Sequence, residues 1–136
     1  MMIKSYSEAK THKQFEERFR YLKLSGSVGF ETFGINRLVN QRFYKSKAWL
    51  KIRDVVIIRD EGCDLGVPGY EIAGKIMIHH IVPITLDDII NMSPMVLDPE
   101  NLICCSHTTH NAIHYGDEQS LAFMFNERKP NDTKLW

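Results

Sequence analysis

Five of the six histidines lie between positions 79 and 114 of this 136-residue chain. Imidazole nitrogens bind divalent metals and exchange protons near neutral pH, so such a cluster points to metal-assisted acid–base chemistry. His79 and His80 are adjacent, and adjacent side chains of a strand point to opposite faces. His110 and His114 are four residues apart, which puts both rings on one face of a helix. Two helical histidines and one strand histidine would supply three metal ligands, leaving the other strand histidine free for a different role.

Three neutral imidazoles favour zinc, nickel, cobalt or manganese over magnesium, because imidazole is a softer ligand than oxygen. Magnesium stays among the candidates, since phosphate oxygens can complete an incomplete shell. We therefore expect one divalent ion, with zinc, nickel, manganese and magnesium all open. A neutral histidine beside it could take a proton from water, and the cation would offset charge on a phosphate. This combination suits phosphodiester hydrolysis.

The N-terminal half is expected to be helical. Apolar residues at helical spacing predict one helix over 1–25 and another over 36–60, with a glycine-containing loop between them. The second helix carries a basic face beside Tyr44 and Trp49, which suits contact with phosphates. The predicted DNA-binding residues are Arg42, Lys45, Lys47, Lys51, Arg53 and Arg59. An ordinary solvated helix surface explains this pattern equally well.

The histidines need a different framework, which the second half of the chain provides. Glycines and a proline make 61–69 a turn-rich connector. Apolar β-prone runs predict strands over 75–82 and 102–105, joined by an irregular segment with one helical turn near 86–90. A helix over about 109–115 follows, with Ser106 or Thr108 as its N-cap and Gly116 at its end. The chain would close with a short helix near 119–125 and a flexible tail over 127–136.

Charge is distributed unevenly although the formal net charge is zero. Residues 1–60 hold 13 Lys and Arg against 6 Asp and Glu, whereas residues 61–136 hold 4 against 11. Such asymmetry indicates one face suited to a polyanion. The sequence has no apolar run long enough for a membrane span and no signal-peptide core. With three cysteines, two of them adjacent, we expect a reducing, cytoplasmic location.

The histidine segments resemble a known signature. Ile78-His79-His80-Ile81-Val82-Pro83, then Asn101-Leu102-Ile103, then His110-Asn111-Ala112-Ile113-His114 is similar to the HNH motif of the ββα-metal endonucleases. The wider chain resembles the small HNH endonucleases of tailed bacteriophages. This resemblance implies an α+β fold in which a ββα-metal unit over 75–116 follows the helical region 1–60, all in one domain of 1–136.

The resemblance also implies a role for each position. His80 matches the general base that activates water, and Asn101 matches the residue that holds the loop carrying this base. His79, His110 and His114 match metal ligands, the last through the nuclease-toxin branch of the family. The implied activity is DNA endonuclease cleavage in the bacterial cytoplasm during phage DNA packaging, with terminase subunits as partners.

The sequence departs from the family at the structural zinc site that many HNH proteins carry in two Cys-x-x-Cys pairs. Cys63 is followed by Gly66 where its partner would be, and Ser106 and Thr109 occupy the second pair. No structural zinc is therefore expected.

The sequence also allows functions other than a packaging nuclease. A homing or restriction-like nuclease and a non-catalytic, metal-stabilised DNA-binding module both stay open. A zincin metalloprotease needs Glu immediately after the first helical histidine, and Asn111 occupies that position. The oligomeric state stays open as well.

Overall fold

Helices form most of the N-terminal half, and two small antiparallel sheets with further helices form the rest, as the α+β expectation requires. The computed structural model describes residues 4–24, 34–119 and Leu121. Its helices are α1 (Tyr6–Thr11), α2 (Phe15–Leu22), α3 (Gly34–Tyr44), α4 (Lys47–Asp60), α5 (Leu86–Ile90) and α6 (His107–Tyr115). Its strands are β1 (Cys63–Asp64), β2 (Tyr70–Glu71), β3 (Ile76–His80) and β4 (Leu102–Ser106).

The single helix predicted over 1–25 is wrong, because the chain breaks between α1 and α2. His12 is extended at this break, with φ −81° and ψ 99°. The Arg18 guanidinium reaches back from α2 and donates to the carbonyl oxygens of His12 and Lys10, at 2.8 and 3.4 Å. These bonds satisfy carbonyls at the end of α1 that a continuous helix would have paired internally.

The predicted helix over 36–60 also divides, into α3 and α4. Ser46 is the reason, because its hydroxyl accepts from the Trp49 amide at 3.3 Å and donates to the Phe43 carbonyl at 2.6 Å. It therefore caps α4 and ends α3 at the same time. The break turns the first residues of α4 toward the strands.

β3 and β4 form an antiparallel hairpin that pairs His79 with Ile103 and His80 with Leu102. Ile103 packs in a core cluster with residues of α1, α2 and α6, whereas Leu102 packs in a second cluster with residues of α3, α4 and α5. The hairpin thus lies between two helical layers. Side chains alternate along a strand, so the two adjacent histidines face different layers.

The predicted connector 61–69 contains β1, which pairs with β2 just beyond the connector in a small hairpin that the sequence did not indicate. The buried Asp64 carboxylate, at the end of β1, accepts from the amides of Gly66 and Ser106 at 2.9 and 3.2 Å and from the Thr109 hydroxyl. Burial raises the pKa of Asp64, while these hydrogen bonds oppose that rise. Gly66 and Thr109 occupy two of the positions where many HNH proteins have zinc-binding cysteines. Here the two residues pack together and both donate to the buried Asp64 carboxylate.

The segments that join the hairpin to its helices follow the predictions closely. The helical turn predicted at 86–90 is confirmed as α5, and a reciprocal pair of hydrogen bonds between Thr85 and Asp88 caps it. Ser106, and not Thr108, caps α6 by accepting from the Thr109 amide, and Gly116 ends that helix at φ 67°. The predicted helix 119–125 and tail 127–136 lie largely or wholly outside the described residues.

Candidate metal centre

His79 from β3 and His110 and His114 from α6 meet in one cluster, which we call the histidine triad. One ligand nitrogen from each ring lies within 4.8 Å of the others. The rings stand edge to face, with centroids 5.3 Å apart for His79–His110, 5.0 Å for His79–His114 and 4.3 Å for His110–His114. The structure therefore brings together all three predicted ligands, close enough to hold one metal ion.

The donor set fits a divalent ion such as zinc. His110 Nε2 and His114 Nε2 are 3.1 Å apart, close to the separation of about 3.3 Å that tetrahedral bonds of ~2.05 Å impose on two zinc-bound nitrogens. His79 Nε2 is buried and has no hydrogen-bond partner. Buried polar atoms are rarely left unpaired, so an unsatisfied imidazole nitrogen in this cluster indicates a ligand-binding role.

Burial keeps the triad neutral at physiological pH. Desolvation, with a smaller contribution from the neighbouring histidines, lowers the pKa of His79 well below its ordinary value and lowers that of His110 to about 4. Desolvation also lowers the pKa of His114. A metal binds the unprotonated nitrogen, so no proton competes for these ligands at pH 7.

His80, unlike the three histidines of the triad, lies against α4. Its ring stacks on the Trp49 indole at 5.4 Å between centroids and 23° between planes, and its Nε2 lies 3.0 Å from the Val96 carbonyl oxygen. A carbonyl can only accept, so Nε2 carries the proton and Nδ1 keeps the lone pair of the neutral ring. Burial lowers the pKa of His80, against the opposing effect of the Val96 hydrogen bond. The residue is thus a neutral base with one available nitrogen.

Asn101 is buried at the start of β4 and uses its whole amide. Its Oδ1 accepts from the Val82 amide at 2.7 Å, and its Nδ2 donates to the carbonyls of Val82 and Met95, each at 3.1 Å. Val82 follows β3, and Met95 precedes the Val96 carbonyl that His80 contacts. Asn101 therefore ties together the two backbone segments that flank the His80 ring.

The six predicted DNA-binding side chains fall into two groups. The exposed ones are Arg42, Lys45, Lys47 and Lys51. Arg53 is half-buried and lies 3.6 Å from Asp54. Arg59 is engaged internally: it donates to both Asp60 carboxylate oxygens and to the carbonyls of Pro99 and Leu102. The four exposed residues lie on α3, on α4 and in the turn between them, whereas Arg59 anchors α4 to the start of β4.

The sequence does not reveal that Trp49 and Val96 contact His80. Trp49 is predicted only as a neighbour of the basic helical face; it is 5% exposed and lies against His80. Val96 acts through a backbone carbonyl, which residue type does not reveal.

No family model, curated protein or solved structure matches the chain. Within the described residues, no helix has both the length and the apolar character needed to cross a lipid bilayer. Any functional conclusion must therefore come from the chemistry of the histidines and their surroundings.

Proposed function

We propose that this protein is a metal-dependent endonuclease that hydrolyses phosphodiester bonds of DNA, with β3, β4 and α6 acting as an HNH-type ββα-metal unit. One observation carries the proposal. Adjacent histidines of a single strand have different environments, His79 in the triad and His80 as a separate neutral base. Metal-assisted hydrolysis of a phosphodiester uses a cation site and a base, and here two adjacent residues contribute one to each.

Each part of the site has a role in this proposal. His80 Nδ1 accepts a proton from the attacking water, since Nε2 is engaged with Val96. His79, His110 and His114 would hold the divalent ion, which when bound offsets negative charge on the phosphate and the leaving oxygen. Asn101 holds the backbone around His80 and does not itself react.

DNA is the proposed substrate because of the exposed basic residues that precede the site. Lys45, Lys47 and Lys51 are exposed within one stretch of chain, and Trp49 in the same stretch contacts His80. Cations arranged in this way can bind backbone phosphates near the base. The uneven charge of the chain supports the same choice of substrate.

The cellular role follows from the sequence resemblance alone. By that resemblance, the enzyme would act in the cytoplasm of a bacterial host, cutting or nicking phage DNA during packaging together with terminase subunits. A homing or restriction-like role would use the same site. Cleavage of concatemeric phage DNA with and without purified terminase would separate these roles.

Plasmid cleavage by purified protein tests the proposed chemistry. Wild-type protein and the His80→Ala variant are incubated with supercoiled DNA in EDTA and in added Mg²⁺, Mn²⁺, Ni²⁺ or Zn²⁺. We expect metal-dependent nicking or linearisation that His80→Ala abolishes, while calorimetry shows unchanged metal binding. His107→Ala is the matched control, because His107 is an exposed histidine that contacts Asn111 at 3.2 Å.

A non-catalytic DNA-binding module predicts a different result in the same assay. It would bind metal and retard DNA, yet no metal would support cleavage in wild-type protein. Such a module usually has a closed site with four protein ligands. The group found among the described residues has three, all histidines, which favours the enzyme.

A further inference from the structure

Trp49 is a large buried aromatic residue whose indole lies against the proposed base, His80. It lies in the first turn of α4, is 5% exposed, and packs against the rings of Phe43 and Tyr44 at 5.3 and 5.0 Å. One face of its indole lies against the His80 imidazole at a tilt of 23°. The two aromatic neighbours hold the indole in place, and the indole in turn limits where the imidazole can lie.

The two contacts of His80 restrain different motions of its ring. The hydrogen bond from Nε2 to the Val96 carbonyl fixes the direction of one ring atom but permits rotation about the hydrogen-bond axis. Stacking on Trp49 fixes the plane of the ring and so removes that rotation. Only the two contacts together determine where the Nδ1 lone pair points.

We infer that Trp49 is a positioning residue for His80, orienting its imidazole for proton transfer from water. The inference depends on the proposed nuclease function. It also links the base to DNA, because Lys47 and Lys51 are exposed on either side of Trp49 along α4. The helix that contacts phosphate backbone would then also orient the base acting on that backbone.

Steady-state kinetics on three variants test this role. Trp49→Leu removes the flat surface, Trp49→Phe keeps a smaller one, and Val56→Ala removes apolar side chain from a fully buried position of α4 in the same core cluster. A misdirected catalytic group commonly costs ten- to a hundredfold in rate, so we expect Trp49→Leu to lower kcat by about tenfold or more. KM for DNA should change less than about twofold, because no phosphate contact is removed.

The control variants decide between positioning and mere packing. Trp49→Phe should recover most of the lost kcat, and Val56→Ala should keep kcat near wild type although it too lowers the melting temperature. If Val56→Ala loses as much kcat as Trp49→Leu, Trp49 is an ordinary core residue and the inference fails.

A second measurement does not depend on activity. Long-range ¹H–¹⁵N NMR spectra report which nitrogen of His80 carries the proton and whether the ring has one orientation. Wild type and Trp49→Phe should have a single Nε2–H species, whereas Trp49→Leu should have averaged signals. A single unchanged species in Trp49→Leu would overturn the inference. Ordered signals in a wild-type protein that no metal activates would instead refute the nuclease proposal.

Discussion

Asn101→Ala is expected to destabilise the protein and to disable the base without touching any histidine. The substitution removes three hydrogen bonds at 2.7, 3.1 and 3.1 Å, one from the Val82 amide and two to the carbonyls of Val82 and Met95. A typical buried hydrogen bond contributes about 1 kcal/mol net. Val82 and Met95 are half-buried, so water replaces part of the loss. We therefore expect the free energy of unfolding to fall by about 2–3 kcal/mol.

Asn101→Asp sharpens this prediction. A carboxylate still accepts from the Val82 amide, but its second oxygen would face the carbonyls of Val82 and Met95, which are also acceptors. The aspartate variant should thus be at least as unstable as the alanine variant, although it is nearly the same size as asparagine. Asn91→Ala, at the exposed end of α5, is the control, with an expected change within about 0.5 kcal/mol.

Urea unfolding in EDTA, followed by circular dichroism, measures these stabilities apart from metal binding. The rate of plasmid cleavage, at a temperature where every variant is folded, then measures how well His80 acts as a base. Cleavage should fall in both Asn101 variants by more than the loss of folded protein explains. If Asn101→Asp unfolds at the same urea concentration as wild type, the amide does not act as the structure indicates and the reasoning is refuted.

Three further predictions concern other parts of the molecule. Gly66→Ala should lower the melting temperature, because a Cβ there would lie 2.5 Å from Thr109 Cγ2. Adding Thr109→Ser removes that methyl group, so the double variant should regain most of the lost melting temperature. Replacing Lys45, Lys47 and Lys51 together by Ala should weaken DNA binding and reduce the slope of log K against log salt by about 3; an unchanged slope in filter-binding titrations would exclude this surface. In EDTA, the free energy of unfolding should fall between pH 7 and pH 5. The triad histidines have lowered pKa values in the folded protein, so below pH 6.5, the ordinary histidine pKa, they bind protons mainly in the unfolded state and favour unfolding. Urea midpoints that do not change over this range would contradict the burial of the triad.

Two relationships within the histidine cluster were predictable because they are local, whereas the contact between β3 and α6 that brings His79 to the other two is tertiary. The four-residue spacing of His110 and His114 fixes their shared face, and Ser106 and Gly116 mark both ends of the helix that carries them. Adjacency in a strand likewise sends His79 and His80 to different faces. Backbone periodicity alone settles these relationships, so no knowledge of the tertiary structure was needed.

The breaks in the N-terminal helices were not predictable by the same means. Their apolar spacing continues through both breaks, so the periodicity does not reveal them. Ser46 bonds to Phe43 and Trp49, each three residues away, and this local cap overrides the apolar spacing. Arg18 reaches the His12 carbonyl six residues away, and the partners of Asp64, Ser106 and Thr109, are more than 40 residues away along the chain, which helical spacing cannot indicate.

The register of the β3–β4 hairpin has a consequence for tolerance to insertion. Each residue of a strand advances it by about 3.3 Å and reverses the side on which its side chain lies. One extra residue within β3 would exchange the sides of His79 and His80, turning the proposed base toward α6 and the proposed ligand toward Trp49. Metal binding and proton transfer would be lost together, although every functional side chain would still be present. A two-residue insertion would keep each histidine on its original side of the strand and change only its position along the strand. Insertions of one and two residues within Ile76–His80 should therefore give inactive and partly active proteins, respectively.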